Sequence, residues 1–118
     1  MQSLKYISQY EGKHLLVVGN ENFVVRETER ALHDLKVGGL RQTLSLPPDL
    51  HKIDGAILDA SLPAAQLFEI ATRLDEHGVP YVFALNAVPS QSDFSGFVFA
   101  AESGNLDRIA QSLFASAG

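Results

Sequence analysis

Short apolar runs, each closed by a polar or glycine-containing break, recur along this chain and alternate with stretches of helical spacing. Leu15-Leu16-Val17-Val18 is apolar throughout and ends at Gly19-Asn20, the pattern of a central parallel strand buried on both faces. From Glu21 to Lys36 the apolar positions Phe23, Val24, Ala31, Leu32 and Leu35 recur at near-helical spacing, and Gly38-Gly39 is expected to stop that helix. Leu40, Gln42, Leu44 and Leu46 alternate with Arg41, Thr43 and Ser45, which predicts an edge strand. Pro47-Pro48 breaks the chain, and Asp49 to Lys52 leaves room for one helical turn at most.

Asp54 to Leu58 predicts a third strand that ends at Asp59. Pro63 then opens a helix through Glu76, with Ala64, Leu67, Phe68, Ala71 and Leu74 expected on its inner face and Gly78 ending it. Val79 to Leu85 predicts the fourth strand and Gly96 to Ala100 the fifth, while Asn86 to Ser95 has the composition of a loop. Ser103 or Asn105 caps a last helix that turns Leu106, Ile109, Ala110 and Leu113 inward.

Strands alternating with helices build a parallel sheet, and right-handed crossovers leave few topologies. Five strands suit the α/β flavodoxin-like three-layer sandwich with strand order 2-1-3-4-5. In that order the first and last helices cover one face of the sheet. The other face falls to the second, third and fourth crossovers, of which the second and fourth are too short for full helices. Apolar sheet surface on that side must be covered by loops, by the N-terminal residues or by another chain.

Composition narrows the range of functions. A chain of 118 residues is one domain by size, and 46% hydrophobic with 19% charged residues is ordinary globular composition. The net charge of −5, with no cluster of Lys and Arg, argues against nucleic acid or an anionic membrane surface as the main partner. The absence of cysteine excludes a disulfide framework, a thiol nucleophile and a zinc knuckle. His14, His33, His51 and His77 have no metal-ligand spacing, and no Gly-x-Ser-x-Gly or Gly-x-Gly-x-x-Gly motif is present. A non-enzymatic, cytoplasmic domain without a resident cofactor is expected.

The remaining chemistry converges on Asp59, a carboxylate at the carboxyl end of a buried strand, where ligands collect in open α/β sheets. Asp54-Gly55-Ala56-Ile57-Leu58-Asp59-Ala60-Ser61-Leu62-Pro63 resembles the receiver domain of bacterial response regulators, whose third strand ends in Asp with Leu-Pro three and four residues on. Leu15 to Val18 with Glu21 after it, and Gly78 to Ala84, add to the resemblance, which covers residues 13–116. It implies a CheY-like domain over 13–118 behind an arm at 1–12. It also implies two-component signalling, with a histidine kinase or an output protein as partner.

In a working receiver the aspartate accepts a phosphoryl group. Mg²⁺ sits on an acidic pair after the first strand, and a hydroxyl and a lysine follow the fourth and fifth strands. The resemblance puts those positions on Gly19-Asn20, Leu85 and Ala100, with Glu21 one residue from the acidic pair. Neither metal carboxylate nor the lysine is present, and phosphoryl transfer depends on such positioned charge. The expectation is therefore a degenerate receiver, or pseudo-receiver, acting by protein–protein interaction. The alternative is a receiver still phosphorylated on Asp59 with Mg²⁺. Two surfaces are candidates for contact with a partner or in a homodimer. One lies near Leu46, Leu50, Val88 and Phe94; the other is the last strand and helix, with Phe97, Phe99, Leu106, Ile109 and Leu113. A third reading places a small ligand at Asn20, Asp59 and Asn86.

Overall fold

A computed structural model of the chain describes residues 8–86, 96–101 and 104–114. The elements run β1 (His14–Val18), α1 (Arg26–Asp34), β2 (Gly39–Thr43), β3 (Gly55–Asp59), α2 (Ala64–Glu76), β4 (Tyr81–Leu85), β5 (Phe97–Val98) and α3 (Asn105–Phe114). All strand pairings are parallel, in the order β2-β1-β3-β4-β5, which is the flavodoxin-like arrangement.

The two-residue alternation of a strand sorts the apolar runs into two cores. Leu15, Val17, Ile57, Val82, Ala84 and Phe99 meet Leu32 of α1 and Leu106, Ile109, Ala110 and Leu113 of α3. On the opposite face Leu16, Val18, Ala56 and Leu58 meet Leu62, Ile70, Leu74 and Val79 from α2 and its flanks, together with Leu50. Strands β1 and β3 are thus buried on both sides, which is why their sequences show no polar alternation.

Tyr10 joins the first core. Tyr10 is 1% exposed; its hydroxyl donates to the Leu106 carbonyl at 2.5 Å, and its ring meets Phe114 edge-on at 5.9 Å. Glu11 pairs with Val37 in an antiparallel bridge, which straps this segment to the chain between α1 and β2. Gly38 permits the strap: a Cβ there would lie 2.6 Å from the Gly12 carbonyl oxygen.

Several expectations are corrected. The first helix begins at Arg26, not Glu21, because Phe23 turns into the core from a loop and its N–H donates to the Asn20 carbonyl at 2.9 Å. That helix ends before the glycines, with Lys36 at φ 67° taking the left-handed position. No helix forms in the second crossover, 44–54. There Thr43 Oγ1 donates to the Ser45 carbonyl at 2.7 Å, the prolines follow, and Leu46, Leu50 and Ile53 cover the second core directly. The second helix is therefore absent where a shortened one was expected. On α2, Leu67, Ile70 and Leu74 form the inward stripe, while Ala64 is exposed and Phe68, about 100° round the helix from Leu67, is 74% exposed. The fourth crossover, including Val88 and Phe94, lies outside the described residues.

Candidate functional site

Asp59 ends β3 and points to the same side of the sheet as Ile57, toward Phe23 and Gly19. Its residue is only 2% exposed. Both carboxylate oxygens are occupied from within the chain. The backbone N–H and the side-chain amide of Asn20 donate to Oδ2 at 3.1 and 3.3 Å, and the backbone N–H and hydroxyl of Ser61 donate to Oδ1 at 2.9 and 2.6 Å. The Ser61 pair is a local Asx turn, available to any Asp followed two residues on by a donor. The Asn20 pair spans 39 positions and needs the parallel pairing of β1 with β3. A buried carboxylate needs such partners, since an unpaired one would lose its hydration with nothing in return.

Gly19 completes the enclosure. A Cβ built there would lie 2.6 Å from Asp59 Cβ, 2.9 Å from Phe23 Cδ2 and 3.0 Å from Asp59 Oδ2. The space that an acidic side chain at position 19 would need is filled by the aspartate itself and by a phenyl ring. Phe23 packs in turn on Phe99, with ring centroids 5.3 Å apart. Hydrocarbon thus stands where the resemblance would put a hydrated cation and its ligands.

Gly19 and Asn20 thus meet Asp59, whereas no hydrogen bond among the described residues joins it to the other expected site residues. Asn20 and Glu21 are exposed on the loop after β1 and line a cleft of about 310 Å³ with Val17, Gly19, Phe23, Val24 and Gln42 to Leu44, a cleft that Asp59 does not line. Leu85 is half-buried and Ala100 buried, and both offer hydrocarbon only. Ala100 lines a second cavity of about 400 Å³ with Val25, Glu27, Thr28, Asn86 and Ala101. The Asn86 amide donates to the Asn22 carbonyl at 2.9 Å, tying the end of β4 to the loop after β1. Asn20 therefore meets Asp59, while Asn86 lines the second cavity and bonds to Asn22. Among the described residues there is no group of three His, Cys, Asp or Glu side chains able to hold a metal ion.

The expected contact surface at the end of the chain is also revised. Phe99, Leu106, Ile109 and Leu113 are core residues, because a helix packed on a parallel sheet turns its apolar stripe inward; Phe97 remains half-buried. Sequence reasoning missed Ser61 and the role of Phe23. The first was legible as an Asx-turn signature, whereas the second read as one more apolar position of a helix. No helix among the described residues is long and apolar enough to cross a membrane. Neither a family model, nor a curated protein, nor a solved structure matches the chain.

Proposed function

We propose that this chain is a pseudo-receiver: a non-catalytic module of two-component type that binds a signalling protein through a fixed conformation, without a phosphorylation switch. The observation that carries the reading is the enclosure of Asp59, whose two oxygens accept hydrogen bonds from Asn20 and Ser61 in a site 2% exposed. An aspartate that accepts a phosphoryl group must present an oxygen in line with the donor, and charge must gather around it as the bond forms. Here the nucleophile is committed to four internal bonds, and positions 19, 20, 85 and 100 bring no charge. A divalent cation favours anionic oxygen ligands, and Gly19-Asn20 supplies none from its side chains beyond an amide already used.

The same bonds give Asp59 a structural role. They lace the loop after β1 to the loop after β3, while Asn86 laces it to the end of β4. A surface held in one arrangement suits constitutive binding, since less ordering is required on association.

The test is intact-mass analysis after incubation with Mg²⁺ and acetyl phosphate, with Asp59→Asn and Asp59→Ala as controls and a working receiver treated in parallel. No mass gain on the parent is expected under conditions that load the working receiver. A gain of one phosphoryl group on the parent and on neither variant would overturn the reading in favour of a phosphorylatable receiver.

A further inference from the structure

Helix α1 begins without a cap. It follows Val25, whose side chain offers no acceptor, and no side-chain hydrogen bond closes its first turn. The Glu29 N–H donates to the Val25 carbonyl at 3.0 Å, whereas those of Arg26, Glu27 and Thr28 form no hydrogen bond among the described residues. Thr28 adds an unpaired hydroxyl to the same place. It is wholly buried on the inward face of the helix, one turn before Leu32, and its Oγ1 has no hydrogen-bond partner among the described residues. A buried hydroxyl in that state has lost its hydration with nothing in return, unless a guest supplies the partner. Thr28 lines the cavity between the start of α1 and the ends of β4 and β5. Its volume of about 400 Å³ falls in the range of about 300–1,000 Å³ usual for small-ligand sites.

We infer that this cavity binds a free aliphatic α-amino acid, with its carboxylate seated on the N-terminus of α1. The unpaired N–H groups and the positive end of the helix dipole favour an anionic group, and the Thr28 hydroxyl is one more donor to it. A bare anion such as phosphate meets an obstacle, because Glu27 of the first turn lines the cavity too. That carboxylate repels an unaccompanied negative charge and attracts a ligand that brings an ammonium group with it. Asn86 adds to the preference. Its amide nitrogen is anchored on the Asn22 carbonyl at 2.9 Å, which leaves its own carbonyl oxygen to accept from the ammonium. The remaining walls, Val25, Ala100 and Ala101, offer hydrocarbon to an aliphatic side chain. A zwitterion is neutral overall, so it approaches a chain of net charge −5 without the repulsion a phosphate would meet.

The test is titration of the isotope-labelled chain with glycine, L-alanine, L-valine and L-leucine, read by backbone amide chemical shifts. Acetate, ethylamine and inorganic phosphate are titrated in parallel, each carrying part of the ligand's charge. At least one amino acid is expected to produce saturable shifts at the Glu27 and Thr28 N–H groups. Acetate, ethylamine and phosphate should bind about tenfold more weakly or worse, since each lacks one of the paired charges. Thr28→Val keeps the shape of the side chain and removes the hydroxyl. Its melting temperature should not fall, because no internal hydrogen bond is lost, while its affinity for the amino acid should drop about tenfold. Glu27→Gln should lose the preference for the amino acid over acetate. An absence of saturable shifts with all four amino acids, or shifts confined to residues away from the cavity, would overturn the inference. So would acetate or phosphate binding as tightly as the amino acid, or a Thr28→Val variant that binds as wild type does. The cavity works without phosphoryl chemistry, so this inference can fail while the reading of Asp59 stands, and the reverse.

Discussion

The two faces of the sheet share their strands and differ in what covers them. On one, α1 and α3 lie side by side, Tyr10 fills the space next to α3, and Phe23 seals the carboxyl end. On the other, α2 and the irregular 44–54 segment cover β1 and β3. Farther along that face Phe83 of β4 is 39% exposed, and Phe68 of α2 is 74% exposed. The strands sit in one register, so the difference arises in the connections. A parallel crossover can lay a helix on the sheet only if its sequence sustains several turns, and Pro47-Pro48 prevents that between β2 and β3. The lesson is that sheet order and sheet coverage are separate properties of a sequence: the first survives the loss of a helix, and the second does not.

The largest expected contrast is between inward residues of the covered face and outward residues of the other. Ile109→Ala should destabilise the fold by about 2–5 kcal/mol, as deletion of a fully buried aliphatic side chain does. Phe68→Ala should stay within about 0.5 kcal/mol, as for a surface substitution. Urea denaturation of the two variants measures both, and equal losses would break the comparison.

Gly19 tests the seam at the carboxyl end. Gly19→Ala forces a Cβ into the 2.6 Å approach to Asp59, so a loss of about 1–3 kcal/mol is expected, the usual cost of overpacking. A thermal melt that matches wild type would mean that Phe23 or Asp59 yields easily and that the site is less closed than its geometry. Tyr10→Phe removes the hydroxyl that donates to the Leu106 carbonyl and keeps the ring. A loss of about 0.5–1.5 kcal/mol is expected, and hydrogen exchange along α3 should rise with it.

The smallest effect belongs to the sparsely covered face and is read by pH. The Tyr81 hydroxyl is held above the usual 10.0 by burial first, then by the charge of Asp75 and the hydrogen bond it donates to that carboxylate at 3.3 Å. The folded state therefore favours the neutral phenol. The resulting stabilisation is complete below the unfolded value and is lost as pH rises through the higher folded one. Stability should fall more steeply above about pH 10 in wild type than in Tyr81→Phe, as followed by denaturation at a series of alkaline pH values.

Much of this architecture was legible in the residues. The apolar runs gave the strands, Pro63 and Gly78 bracketed α2, and crossover chirality left few strand orders, among them the flavodoxin-like one observed. Helix limits were less legible where an apolar residue had two possible uses. Phe23 fits a helical stripe by spacing, and Phe68 looks inward by hydropathy, yet neighbouring side chains decided that one fills the seam and the other faces water. The candidate site divides in the same way. Asp59 stood out at the end of its strand, and the uncharged residues at positions 19, 20, 85 and 100 could be read directly.

Sequence alone thus determined the parallel sheet and the uncharged residues at positions 19, 20, 85 and 100, because periodicity, chain breaks and residue type act locally. Only the tertiary structure decided that Asp59 is closed off. That outcome requires Asn20, Phe23 and Gly19 to meet a residue about forty positions away, at distances set by the pairing of β1 with β3. Hydrogen bonds and van der Waals contacts act over a few ångströms, so a pattern along the chain can name the participants but cannot bring them together.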